Sequence, residues 1–137
     1  MSKKISILLF VISIFLFSCT VQKGPNMKEG MWQITIRMEM PGMPVQMSPQ
    51  TYTHCLTQKE AVPQQKAPDQ NCKITKQDIK GDTVSWVVEC NTSEGTAVSD
   101  GRITYKGDTM EGIIKMKQRG MEVTQRLSGR WIGKCEK

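Results

Sequence analysis

Histidine occurs once in these 137 residues, at position 54, and the chain has no Gly-x-Ser-x-Gly, no Cys-x-x-Cys and no apolar run long enough to cross a bilayer. Each absence excludes a class of chemistry. One imidazole among scattered carboxylates supplies no convergent acid, base or nucleophile, so an enzyme is not expected. The cysteines at 55, 72, 90 and 135, spaced 17, 18 and 45 residues apart, complete no familiar zinc pattern with a single histidine, and no cofactor is expected. Basic residues are interleaved with acidic ones, which gives nucleic acid no specific support as a partner. The apolar run Ile5–Phe17 behind Lys3 and Lys4 is too short for a spanning helix and reads as an export signal.

What closes that run decides its processing. Leu16-Phe17-Ser18-Cys19 resembles the lipobox of bacterial lipoproteins, with an apolar residue at minus three, a small one at minus one, and then cysteine. The resemblance implies residues 1–18 as a lipoprotein signal peptide, a lipid on Cys19 that makes the membrane a partner, and residues 19–29 as a polar tether. Residues 30–137 are then a single domain, of a size that gains from crosslinks. Thr20, where an aspartate would signal retention, points to the outer membrane of the bacterial cell envelope, with the domain facing the periplasm. Five cysteines is an odd count for an exported chain; giving Cys19 to lipid leaves four, enough for two disulfides in an oxidising compartment. Loss of Lys3 and Lys4 leaves 17 basic against 13 acidic residues, a formal +4 that permits weak attraction to phosphate-rich surfaces.

The domain reads as all β. From Trp32 to Met40 the alternation is strict, Trp32, Ile34, Ile36, Met38 and Met40 on one face, so this is a half-buried strand. Met40-Pro41-Gly42-Met43-Pro44 reverses the chain, and a second strand runs to Leu56 with Tyr52 and His54 on one face and Cys55 on the other. Thr57 and Glu60 form a capping box that predicts one short helical turn before Pro63. The Lys-Gly-Asp-Thr runs at 80–83 and 106–109 predict tight hairpin turns with glycine at positive φ, and Arg119-Gly120 a third.

Registers follow by arithmetic. Pairing Lys106 with Thr109 sets Tyr105 opposite Met110, Gly101 opposite Ile114 and Asp100 opposite Lys115; the next hairpin sets Met116 opposite Val123 and Lys117 opposite Glu122. In the hairpin at 80–83 the apolar phase slips, and one extra residue near Lys76 or Gln77 restores it, placing Cys72 opposite Cys90. Opposed cysteines in an antiparallel pair lie near bonding range, so Cys72–Cys90 and, by remainder, Cys55–Cys135 are the expected disulfides. About seven short strands in an antiparallel meander must curl to bury one face. Inward Gly101, Gly112 and Gly129 permit the curvature or make room for tryptophans, giving a strongly curved sheet or lipocalin-like partial barrel.

The ordered set Gly30-Met31-Trp32-Gln33-Ile34-Thr35-Ile36, Thr53-His54-Cys55-Leu56-Thr57, Gly81-Asp82-Thr83-Val84-Ser85-Trp86, Tyr105-Lys106-Gly107-Asp108-Thr109-Met110-Glu111-Gly112 and Ile132-Gly133-Lys134-Cys135 resembles the bacterial domain of unknown function numbered 3617. The resemblance spans about residues 28–135 and implies a small exported protein, often lipid-anchored, with no activity or catalytic residue assigned.

Three functional readings remain. The first is an envelope module that acts through its surface on an envelope polymer or protein. The second is a binding module that holds a lipidic or amphipathic ligand against the apolar face. The third uses Met38, Met40, Met43 and Met47, with His54 as a further donor, to hold Cu(I) through soft thioethers. Against copper, strand phase makes Met38 and Met40 part of the core-facing stripe, where methionine serves as an adaptable filler.

Overall fold

The alternation that begins at Trp32 recurs along the chain, and the computed structural model, which describes residues 24–42, 47–63 and 71–136, folds it into seven strands. These are β1 (Gly30–Glu39), β2 (Gln50–Leu56), β3 (Asn71–Lys80), β4 (Thr83–Thr92), β5 (Gly95–Tyr105), β6 (Thr109–Gln118) and β7 (Met121–Gly133). All pair antiparallel in one sheet of order β2-β1-β7-β6-β5-β4-β3, curled into a half-barrel. The meander therefore runs unbroken only from β3 to β7. The β1–β2 hairpin is added beyond β7, so β2 and β3 become the two edges of an open seam.

The hairpin registers follow the local turn chemistry. Gly81 and Gly107 take φ of 57° and 77°, and Arg119 and Gly120 are both positive at 50° and 76°, as a two-residue hairpin with right-handed strand twist requires. Tyr105 faces Met110, Gly101 faces Ile114, Met116 faces Val123 and Lys117 faces Glu122, the last pair 3.5 Å apart as an ion pair. In β3 the extra residue is Thr75, just before the expected Lys76 or Gln77: Ile74 pairs Val88 and Lys76 pairs Val87. Its hydroxyl bonds to the Val87 carbonyl at 3.4 Å, which suits a small β-branched polar residue to the bulge.

Side chains opposite one another in an antiparallel pair share a face, so the registers build rows across the inner surface. One row is Tyr52, Ile34, Gly129, Met110, Tyr105; the next is Gln50, Ile36, Leu127, Gly112, Ile103, Val84, Ile79. These two rows, with Trp32 and Leu56, hold most of the fully buried side chains. They lie toward one end of the half-barrel, the packed pole. There Trp32 meets Tyr105 edge to face, centroids 5.6 Å apart, and two chain segments close the end.

The first closing segment is 24–29, which lies against the domain although its composition reads as tether. Met27 bridges to Gly107, Pro25 and Met27 are buried, and the indole N–H groups of Trp32 and Trp131 donate to the Lys28 and Glu29 carbonyls at 3.0 and 3.2 Å. The second is 57–63. The expected helical turn is not formed as a helix: Thr57 accepts the Glu60 N–H at 3.1 Å, but the turn stops there, because Ala61, Val62 and Pro63 are drawn into the core. The Tyr105 hydroxyl donates to the Ala61 carbonyl at 2.6 Å, satisfying two polar groups that burial would otherwise leave unpaired.

Each pole carries one disulfide. Cys55–Cys135 lies at the packed pole and joins the end of β2 to the chain just past β7, across the start of β1; Cys72–Cys90 lies at the other and ties edge strand β3 to β4.

Candidate functional site

Inward side-chain size falls along β5. From the packed pole it presents Tyr105, Ile103, Gly101, Ser99 and Ala97 to the interior. Trp86, on β4, lies across Gly101, where a Cβ would collide with its ring; Gly112 and Gly129 make the same close approaches to Ile103 and Met110 rather than to tryptophans. Beyond Trp86 the core is no longer filled. Ser99 and Ala97 form the floor of a hollow of about 320 Å³, walled by Met116, Gln118, Cys90 and the Thr92–Glu94 turn.

The row through this floor reads Val123, Met116, Ser99, Val88, Ile74, and the row beside it begins Met38, Gln125, Ile114. Met38, Met116, Val88 and Val123 are half-buried, while Ile74 is 40% and Met121 66% exposed at the rim. Thioethers and branched aliphatics thus alternate with Ser99, Gln118 and Gln125. Methionine adapts its shape to irregular apolar partners, and the amides and hydroxyl offer hydrogen bonds beside it. Such a surface can hold an apolar chain that carries a polar group. The open pole is braced by Arg119, whose Nε donates to the Glu94 carbonyl at 3.1 Å and whose guanidinium pairs with the Glu94 carboxylate at 3.6 Å, joining the β4–β5 and β6–β7 turns.

The sequence-expected copper set is only partly assembled. Met38 and Met40 lie on the inner side of β1 and just past its end, Met47 is 48% exposed beyond the turn, and Met43 lies outside the described residues. His54 pairs with Trp32, six residues from Met38 along β1, so about 20 Å of strand separates the two. It is therefore not a further donor to that run. Among the described residues no three His, Cys, Asp or Glu side chains converge as a metal site would require. The expected signal peptide, residues 1–18, and Cys19, the residue expected to be lipidated, also lie outside the described residues.

The two tyrosines of the inner face stay neutral hydroxyls over the physiological range. Burial pushes the Tyr52 hydroxyl up to about 12, and raises Tyr105 as well, with the neighbouring Tyr52 adding to the shift.

Sequence reasoning passed over Ser99, Met116, Gln118, Met121 and Gln125. A signal was there: at the inward positions given by the registers, β5 turns small and polar past Gly101, at Ser99 and Ala97, and a glutamine joins the methionine on β6, at Gln118 beside Met116. Fold and site together define a half-open antiparallel β-barrel, filled at one pole, hollow at the other, and stapled at both. The chain belongs to the family described as Protein of unknown function (DUF3617), whose family model matches residues 27–135. No curated protein and no solved structure matches it.

Proposed function

We propose that the chain is a lipid-anchored protein of the bacterial cell envelope, facing the periplasm from the outer membrane, that acts by binding and not by catalysis. Its ligand is an amphipathic or lipidic molecule held on the open half of the concave face. One observation carries this reading: the inner face is packed around Trp32 and Tyr105 but left hollow above Ser99 and Ala97, while Ile74, in the row of Ser99, and Met121, opposite Gln118, stay exposed. A domain that needed its inner face only as a core would gain about 1.5–3 kcal/mol for each such side chain it covered. The lipobox at Leu16–Cys19 supports the anchor.

Two measurements test the two halves. Growth with an alkyne-bearing fatty acid should label the wild-type chain and leave Cys19→Ala unlabelled; label on that variant, or none on the wild type, would remove the anchor. For the ligand, the mature chain carrying Cys19→Ser should bind a fluorescent long-chain fatty acid. Ser99→Leu, which fills the hollow, and Met121→Lys, which breaks the apolar rim at an exposed position, should each weaken binding by about tenfold. Unchanged affinity in both variants would end the lipidic reading and leave the protein acting through another surface.

A further inference from the structure

The outer side of the sheet carries a second concavity, a groove of about 820 Å³ over β3 to β6. Ser85, Val87 and the Gly101 backbone form its floor, and Lys76, Lys80, Arg102 and Lys115 stand around it with Asp78 and Asp100. The sequence scatters these cations, but register gathers them. Lys76, Val87, Asp100 and Lys115 fall in one row, and Arg102 stands two residues along β5 from Asp100. The bulge at Thr75 is what turns Lys76 outward, since without it the phase of β3 would place its neighbour there.

Several cations elsewhere on the outer surface are matched to carboxylates: Lys117 to Glu122 at 3.5 Å, Arg119 to Glu94 at 3.6 Å, Arg126 to Glu39 at 2.6 Å; Arg37, Lys73 and Arg130 form no ion pair among the described residues, but none of these three lines the groove. Within the groove Lys80 takes Asp78 at 3.3 Å. Lys76, Arg102 and Lys115 are exposed and form no ion pair among the described residues, and Asp100 alone stands against them. The groove thus keeps an excess of positive charge in a concave setting, where a guanidinium fork and two ammonium groups suit phosphate oxygens.

Its position relates it to the anchor. Toward the packed pole the groove ends at Lys80 and Thr83, on either side of the β3–β4 turn. In that turn the Asp82 carboxylate accepts the Asn26 N–H at 3.1 Å, which fixes the N-terminal segment at the same corner. Cys19 is seven residues upstream, a reach of at most about 25 Å fully extended. We propose that this groove binds the phosphate-bearing headgroups of anionic lipid in the membrane that holds the anchor. The β3–β6 wall then lies on the bilayer and the hollow inner face turns away from it. This rests on the lipid-anchored reading for which membrane the groove meets: the anchor holds the wall within a Debye length of those headgroups, while the groove's own charge draws the unlipidated chain to anionic vesicles more weakly.

Vesicle flotation tests it independently of lipidation when done with the mature Cys19→Ser chain. Binding is expected on phosphatidylglycerol–phosphatidylcholine vesicles, with none on phosphatidylcholine alone, and should fall in high salt. Lys76→Gln, Arg102→Gln and Lys115→Gln together should lower the partition coefficient by about tenfold or more. The combination Lys106→Gln, Lys117→Gln and Arg126→Gln removes the same formal charge from paired positions and should leave most of the binding. Equal loss in both triple variants, no preference for the anionic vesicles, or displacement by millimolar inorganic phosphate would each overturn the headgroup assignment. Failure of fatty-acid labelling at Cys19 would instead overturn the anchor and leave the vesicle result standing.

Discussion

Gly101 shows how a single missing side chain sets the boundary of the hollow. Because it has no Cβ, the Trp86 ring can lie against Gly101 of β5 and cap the packed half, at 4% exposure. Gly101→Ala places a methyl group inside that ring's volume, and the ring must move because the backbone of β5, paired on both sides, does not. Overpacking of this kind costs about 1–3 kcal/mol. Urea denaturation should show a loss near 2 kcal/mol for Gly101→Ala and almost none for Ser99→Ala, one register pair away toward the hollow. Equal midpoints for wild type and Gly101→Ala would mean that Trp86 has room to shift and does not mark the edge of the core.

At the scale of elements, much of the fold was legible, and the reason is local. Turn residues fix each hairpin, alternation of period two fixes each face, and together they fixed the β3–β4, β5–β6 and β6–β7 registers to within one residue at the bulge. What was not legible is non-local. Nothing near Trp32 in the sequence says that its strand pairs Trp131, and composition alone made 24–29 a free tether when two indoles hold it. Period two also says which face is inward without saying how far along the strand the interior is filled, so the hollow was missed although its small and polar residues were in view. The disulfides act on this arrangement unequally. Cys55–Cys135 closes a separation of 80 residues and Cys72–Cys90 one of 18, which in the loop-entropy description correspond to about 4.5 and 3 kcal/mol. The long bridge also secures the β1–β2 hairpin, the part outside the meander. Cys55→Ala with Cys135→Ala should therefore lower the urea midpoint more than Cys72→Ala with Cys90→Ala, and the reverse order would mean that the edge strand β3, not the seam around β1, governs unfolding.

The whole molecule is polarised along its strands. In a simple open sheet protection would vary from strand to strand, lowest at the edges β2 and β3 and highest in the middle. Here every long strand has one end in the packed pole and one in the hollow. Edge strand β3 is nearly all exposed, and its bulge and Lys73, Lys76 and Lys80 discourage another strand from adding to it. Opening of the structure should then begin at the hollow pole, where few apolar contacts hold the ladder, and spread toward Trp32. Amide hydrogen exchange should find the slowest protons at Ile34, Ile103 and Leu127. Exchange should be progressively faster on the same strands toward Ala97, Met116 and Val123, with the Gln118–Met121 turn fastest. A ligand seated in the hollow should slow only the fast set, bringing it toward the protection of the packed half. Uniform protection from end to end along β5 would show that the hollow pole is held as firmly as the packed one. The small residues there would then be part of a rigid shell, not a site that orders around what it binds.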